Sequence, residues 1–498
     1  MTNNLAKRSM HALLWNLLGG IGKVFAQFLI QIWLARMLGP DIFGQYAVVL
    51  VIIGFGWLLA DSGFGTALIQ KDKINDEDVG YALGWVLSLS LVIGASIAIF
   101  SPQLALFVGD SRLVQPIAVC GPIIALQALS NLSSSLIRRN LDMKRFQIIQ
   151  LSGYLGFGLV AISLAYYGSG VWSLVIGFLV QTIIIFIFGY SIARHTLIPR
   201  LRGNIAFRNF GLNVLGTNLA NWAIESADRL IIGRQWGISA LGAYAAASNL
   251  SRAPVSLLVT SVQSVMLASA SRVQNDPERL CRGYVSVISL TALITFPLFA
   301  VLALKAEFVV HLLYGERWAE AGPIFSTFCF VVPFYVLLAV TGPALAAVGS
   351  AASEFRVQLI CAVALIVGLL LLANYPLSMA IWLIPCVYFF RFFLVYLALA
   401  KRIKLSASRT LHAFFGGAVL AILVVIVVFV SGKIIPITTL GQPSLDLAQL
   451  LLPVVACLGV LHLFPGLLIG DDLSSLLLSR SADSKIAKML CRLIGLKK

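Results

Sequence analysis

The chain has 498 residues, 59% of them hydrophobic and 11% charged, with a net charge of +16 and a mean hydropathy of +0.95. A soluble domain carries roughly 25% charged residues, so water cannot be the solvent for most of this surface and lipid must be. The basic residues sit in short connectors between apolar runs rather than in a stripe on a polar segment, which excludes nucleic acid as a partner and points to anionic lipid headgroups.

Lys7 and Arg8 precede an apolar run that continues to about Leu34. That is longer than the roughly 7–15-residue core of a signal peptide, so a retained first helix is expected. A helix needs about 20 apolar residues to cross about 30 Å of hydrocarbon. Such runs lie at 12–35, 42–60, 80–100, 113–136, 147–167, 171–192 and 210–233, then at 240–267, 283–304, 321–348, 355–373, 376–400, 411–431 and 446–469. The expected fold is an all-α integral membrane protein of about fourteen transmembrane helices.

The connectors alternate in charge. Those after odd-numbered helices hold only Arg36, Arg112, Arg234, Lys305, Arg317 and Lys433. Those after even-numbered helices are rich: Lys71 and Lys73; Arg138, Arg139, Lys144 and Arg145; Arg194, Arg200, Arg202 and Arg208; Arg272, Arg279 and Arg282; Lys401, Arg402, Lys404 and Arg409. The positive-inside rule places both termini in the cytoplasm of a multi-pass bacterial inner-membrane protein. In the tail, Ile486, Met489, Leu490, Leu493 and Ile494 recur at helical spacing opposite Lys485, Lys488 and Arg492. An amphipathic helix on the membrane surface is expected there. The seven cysteines form no C-x-x-C pair and lie mostly in apolar runs, where Cys is a small hydrophobe. No cofactor or metal is expected.

An internal repeat organises the chain. RMLGPDIFGQYA at 36–47 and RQWGISALGAYA at 234–245 share Arg, Gly, Gly, Tyr and Ala at identical spacing, an offset of 198 (234 minus 36). Gly39 and Gly237 suit a change of chain direction after the first helix of each half. Gly44 and Gly242 suit close helix packing. A weaker match pairs Gly109 with Gly315, an acid following each. Each half then has an even number of helices. The expected fold is two parallel-oriented, pseudo-symmetric six-helix lobes plus two C-terminal helices. The expected divisions are 1–205, 206–405, the extra helices at 406–475 and the tail at 476–498.

Charges inside spans are costly and mark functional positions. They are Lys23, Glu225, Asp228, Arg229, Arg252 and Arg391, with Asp61 nearer an end. At the 198 offset Lys23, Gln27 and Gln31 fall opposite Asn221, Glu225 and Arg229, and steps of four keep each trio near one helical face. Asn16 and Asn218 extend these faces. Two such faces would line a central aqueous cavity. Lys23, Arg229 and Arg252 are candidate anion ligands. Asp61, Glu225 and Asp228 are candidate ion-coupling or structural acids. Glu225 and Arg229 have the spacing of a helical ion pair, which leaves Asp228 to pair with Lys23 or Arg252. Pro254 would loosen the helix beside Arg252. Arg391 lies among aromatics and is expected over a ring or snorkelling.

The stretch LARMLGPDIFGQYAVVLVIIGFGWLLADSGFGTALIQK (34–71), and within it A-R-x-L-G-P-x-x-F-G-x-Y, resembles the first helical hairpin of the Wzx-like polysaccharide transporters. These belong to the superfamily of multidrug extruders and MurJ-type lipid II flippases. The resemblance implies alternating-access transfer of undecaprenyl-pyrophosphate-linked oligosaccharide from the cytoplasmic to the periplasmic leaflet, for lipopolysaccharide, capsule or exopolysaccharide. It implies a lipid-linked oligosaccharide and membrane lipid as partners, H+ or Na+ as candidate coupling ion, and association with a polymerase and chain-length machinery. In MurJ-type relatives cations in the first, second and eighth helices hold the pyrophosphate; Lys23 and Arg252 stand in the first and eighth. The alternatives are a multidrug cation extruder, against which Lys23 and Arg252 argue, and a membrane polymerase or glycosyltransferase. For the latter, Asp41 is explained as a helix N-cap, like its repeat partner Ser239. Glu307 and His311 stand without a partner constellation. The chain is expected not to be an enzyme.

Overall fold

The computed structural model describes the chain except for residues 1, 72–73, 203–217, 220–221, 223–225, 257, 260–261, 264–265, 267–269, 271–272, 274–275, 435–441, 481–488, 490 and 492–498; side chains are further left out at 2–14, 17, 70, 351, 442, 471, 476–477 and 479–480. The expected tail helix therefore lies outside the described residues.

Lipid offers no partner to backbone N–H and C=O groups, so each apolar run closes its own hydrogen bonds as a helix. The helices are α1 (Thr2–Asp61), α2 (Phe64–Gln70), α3 (Asp76–Ile99), α4 (Ser101–Val108), α5 (Val114–Ala118), α6 (Cys120–Arg139), α7 (Met143–Tyr166), α8 (Val171–Ala193) and α9 (Ile238–Arg252). There follow α10 (Pro277–Leu304), α11 (Ala306–Tyr314), α12 (Ala321–Ala347), α13 (Ala351–Leu371), α14 (Leu377–Ala380), α15 (Leu383–Ile403), α16 (Ala407–Ile434) and α17 (Gln442–Leu463). Among the described residues 11 helices are long and apolar enough to span a membrane. One of these, α1, holds two expected runs, joined through Gly39 at φ 74° and ψ 174°. The runs at 210–233 and 240–267 are only partly described. Leu91, Leu159 and Phe429 are 69%, 73% and 63% exposed, as lipid-facing side chains are.

The duplication is visible element by element. In each half the third helix (α3, α10) is followed by a short helix (α4, α11) and a left-handed glycine (Gly109 φ 88°, Gly315 φ 92°). A 3-10 turn comes next, Ser111–Leu113 or Glu316–Trp318. In one unit α3 packs on α6, α6 on α8 and α7 on α8. In the other α10 packs on α12, α12 on α15 and α13 on α15, the same pairings by position in the repeat. The extra helix α16 packs on α10 and on α17.

The first compact unit is Met1–Ala246 with Leu313–Trp318; the second is Ala247–Leu312 with Ala319–Lys498. The first unit extends beyond the expected division at 205 and takes in helix 226–236, the start of α9 and the turn Leu313–Trp318. Packing on α1 draws them in. Trp222 lies 4.8 Å from Phe55, ring to ring, and Trp318 lies 5.1 Å from Phe43 and donates from Nε1 to the Ala35 carbonyl at 2.8 Å. A Cβ at Gly44 would overlap the Ile238 carbonyl oxygen, and one at Gly242 would overlap that of Pro40. The two glycines expected to allow close packing do so against the opposite half.

Candidate functional site

In the first unit the polar stripe runs along the first arm of α1. Lys23 is half-buried, Gln27 exposed and Gln31 half-buried. Among the described residues Lys23 makes no salt bridge. Gln31 donates from Nε2 to the Tyr314 hydroxyl at 3.1 Å. Asn16 accepts from Gln147 Nε2 at 2.7 Å, a bond between α1 and α7 that anchors the end of the stripe. On the corresponding helix of the second half, Asn218 is half-buried, while Asn221 and Glu225 lie outside the described residues, and so does the expected Glu225–Arg229 pair.

Asp228 corrects an expectation. Among the described residues it reaches no cation: the Tyr244 hydroxyl donates to Oδ2, and the Arg229 backbone N–H donates to Oδ1 at 2.8 Å. A phenol within the same helical hairpin satisfies the carboxylate. The half-buried Arg229 thus meets Asp228 through its backbone, not its guanidinium.

Asp61 ends α1, where Ser62 and Gly63 turn left-handed at φ 42° and 75°. It is buried and accepts from Asn131 Nδ2 at 2.8 Å, and Arg138 Nη2 donates to the same Asn131 amide at 3.3 Å. Asn131 also lines a cavity of about 190 Å³ with Trp57, Gln127, Ser130 and Gln181. Trp57 Nε1 and Gln127 Oε1 are buried there without hydrogen-bond partners in the structure, a donor and an acceptor that a water molecule would satisfy.

In the second unit α9 ends at Arg252, and Pro254 sits in a 3-10 turn, Ala253–Val255. The expected loosening of the helix is therefore a break immediately after the arginine. The guanidinium lies over the Tyr335 ring, 5.2 Å from its centroid, and Nη2 donates to the Tyr388 hydroxyl at 3.5 Å. One turn along α15 from Tyr388, Arg391 keeps its Nε buried without a hydrogen-bond partner and feels the charge of Glu354 on α13. Sequence reasoning missed Tyr335, Tyr388 and Glu354. Tyr388 stood three residues before Arg391, but Glu354 read as an ordinary first-turn acid. Two phenol-bearing rings hold a guanidinium whose planar fork suits a phosphate.

Asp41 departs from its expected N-cap role. Arg112 grips it with both terminal nitrogens, Nη1 to Oδ2 at 2.7 Å and Nη2 to Oδ1 at 3.0 Å, and holds Asp110 as well, with Nη2 to Oδ2 at 2.7 Å. Burial would raise the Asp110 carboxyl, but hydrogen bonds from the Arg112 side chain and amide outweigh it and hold the group below the usual carboxylate range. A depressed folded value means the stabilisation is present above the unfolded value of about 3.9 and is lost as the pH falls below it. Melting of the purified protein should therefore fall more steeply below about pH 4 for the natural chain than for Asp110→Asn. Parallel curves would show that the clamp contributes nothing. Among the described residues no group of three His, Cys, Asp or Glu is placed to hold a metal ion.

Comparison with known proteins gives a consistent set. Residues 33–323 match the family described as polysaccharide biosynthesis protein. The succinoglycan biosynthesis transport protein ExoT of Rhizobium meliloti (strain 1021) is 26% identical over 356 residues, 70% of this chain and 71% of that one. The lipopolysaccharide biosynthesis protein WzxC of Escherichia coli (strain K12) is 24% identical over 304 residues, 60% of this chain and 61% of its own. Among solved structures, the lipid II flippase MurJ in an inward closed conformation superposes with a TM-score of 0.71 at 12% identity, covering 90% of this chain and 98% of that one. That degree of likeness shows a common fold.

Proposed function

The chain belongs to the polysaccharide biosynthesis protein family, and on that footing we propose that it moves undecaprenyl-pyrophosphate-linked oligosaccharide across the bacterial inner membrane, from the cytoplasmic to the periplasmic leaflet. The chain is a multi-pass membrane transporter rather than an enzyme; its relative from Rhizobium meliloti is a transport protein. The observation that carries the reading is the pair of intramembrane cations, Lys23 without a salt bridge among the described residues and Arg252 set against Tyr335 and Tyr388. A cation extruder would not keep such groups in its path. In this reading Lys23, Arg229 and Arg252 are the groups that meet the pyrophosphate, and Asn16, Gln27, Gln31, Asn218 and Asn221 are polar groups along its path. Glu225 and Asp228 neutralise part of the positive charge there.

With the cytoplasm negative, outward movement of an anion gains about 2.3 kcal/mol per charge per 100 mV. A pyrophosphate group is then driven outward by the membrane potential. Asp61, bonded to Asn131 at the edge of the polar cavity, is the acid through which H+ or Na+ would couple. Both termini lie in the cytoplasm, and the polymerase and chain-length machinery act on the released unit.

The test is transfer in vesicles containing the purified protein. A lipid-linked oligosaccharide is placed in one leaflet and its appearance in the other is read with an impermeant lectin or glycosidase. Accelerated transfer is expected, together with no efflux of an organic dye cation. Dye efflux without lipid transfer would overturn the reading in favour of a cation extruder.

A further inference from the structure

Arg36 and Arg234 occupy the same position in the two halves, at the end of the first helix of each. Arg36 Nε donates to the carbonyl of Leu313 at 2.9 Å, and Arg234 Nη1 donates to the carbonyl of Phe107. These acceptors also correspond: each stands two residues before the left-handed glycine, Gly315 or Gly109. Each therefore lies in the last turn of a short helix, α11 or α4, where carbonyls have no intrahelical partner and a cation is favoured. The same arginine of each half thus reaches the same carbonyl of the other. Beside these bonds, Gly44 meets the Ile238 carbonyl and Gly242 meets that of Pro40, and Ile238 and Pro40 are again equivalent positions. Two layers of contact, one polar and one of backbone against backbone, repeat under one two-fold operation.

All of these residues lie at the helix ends joined by the connectors poor in Lys and Arg. We propose that the two arginine–carbonyl bonds form a symmetric clasp that holds the outer end of the transporter shut, with the Gly44 and Gly242 contacts as the seal beside it. This rests on the alternating-access reading. The chemistry suits a gate. The acceptors are neutral carbonyls, so the bonds are weaker than buried ion pairs and can break and re-form in each cycle. A glycine against a carbonyl lets two backbones close without any side chain to reorder. Opening outward must then break both bonds together, because each half contributes one donor and one acceptor.

The experiment reads accessibility, which needs no substrate. Gln31→Cys, in a chain with Cys386 replaced by Ser, is labelled in spheroplasts by a membrane-impermeant maleimide added outside; total thiol is read after denaturation. Labelling should be slow in that background. It should rise several-fold, to a similar degree, in Arg36→Ala and Arg234→Ala, and further in the double variant. Arg36→Lys, which keeps a donor, should stay slow, and a monodisperse elution profile confirms folding. Gly44→Val should label quickly whichever residue stands at 36. An unchanged rate in both alanine variants, or a rise from one alone, would overturn the clasp. Failure of lipid transfer in vesicles, with labelling behaving as described, would instead remove the flippase reading and leave the gate.

Discussion

Replacing Lys23 and Arg252 together by alanine is expected to abolish polymer export in cells whose own transporter has been deleted, while the protein remains in the membrane at its normal level. Each cation supplies charge-assisted hydrogen bonds to a phosphate, worth roughly 1.5–3 kcal/mol apiece. Each single variant should therefore lose on the order of tenfold to a hundredfold in transport, and the double variant more. Lys23 leaves no carboxylate stranded among the described residues, and the membrane level of each variant is read beside its export. Arg252→Lys should recover only part of the activity, because an ammonium cannot present the planar fork that Tyr335 and Tyr388 hold in place. Export is measured as surface polysaccharide per cell. Normal export in the double variant would dismiss the site.

Asp446→Leu should lower the melting temperature of the purified protein by several degrees. Lys305 and Asp446 meet at 2.8 Å with side chains only 15% and 12% exposed, joining the end of α10 to α17. Removing one partner strands a nearly buried charge. A fully buried case costs about 3–5 kcal/mol. Here a cavity of about 730 Å³ lined by both residues admits water, which reduces the loss to about 2 kcal/mol. Lys305→Met with Asp446→Leu should recover most of the stability, since an apolar pair of similar volume removes the stranded charge. A single variant as stable as the natural chain would mean that water already screens the pair.

The membrane fold was legible because a bilayer leaves a long apolar run one way to satisfy its backbone. The repeat was legible through Arg36, Gly39, Gly44 and Tyr46, whose spacing returns at Arg234, Gly237, Gly242 and Tyr244. What could not be read were pairings between distant turns. Nothing in the spacing of Asp41 points to Arg112, and Leu313 offers Arg36 only a backbone carbonyl, which leaves no mark on residue identity. Asp228 was assigned to a cation because the helical period locates an acid on a face but does not reveal that Tyr244, one hairpin later, comes back to it. The aromatic cradle of Arg252 was hidden for the same reason: Tyr335 and Tyr388 come from helices far along the chain.

The reciprocity around Arg36 and Arg234 is what two identical six-helix chains would make on meeting about a two-fold axis. Such an interface has to be self-complementary, since every change alters both sides at once. Joining the subunits end to end lifts that constraint, and the two sides have drifted apart. Three residues beyond the left-handed glycine, Trp318 reaches across to the Ala35 carbonyl of the other half, whereas its counterpart Arg112 stays within its own half and grips Asp41. Equivalent positions thus serve different ends, an indole contact between the halves from Trp318 and an ion pair inside one half from Arg112.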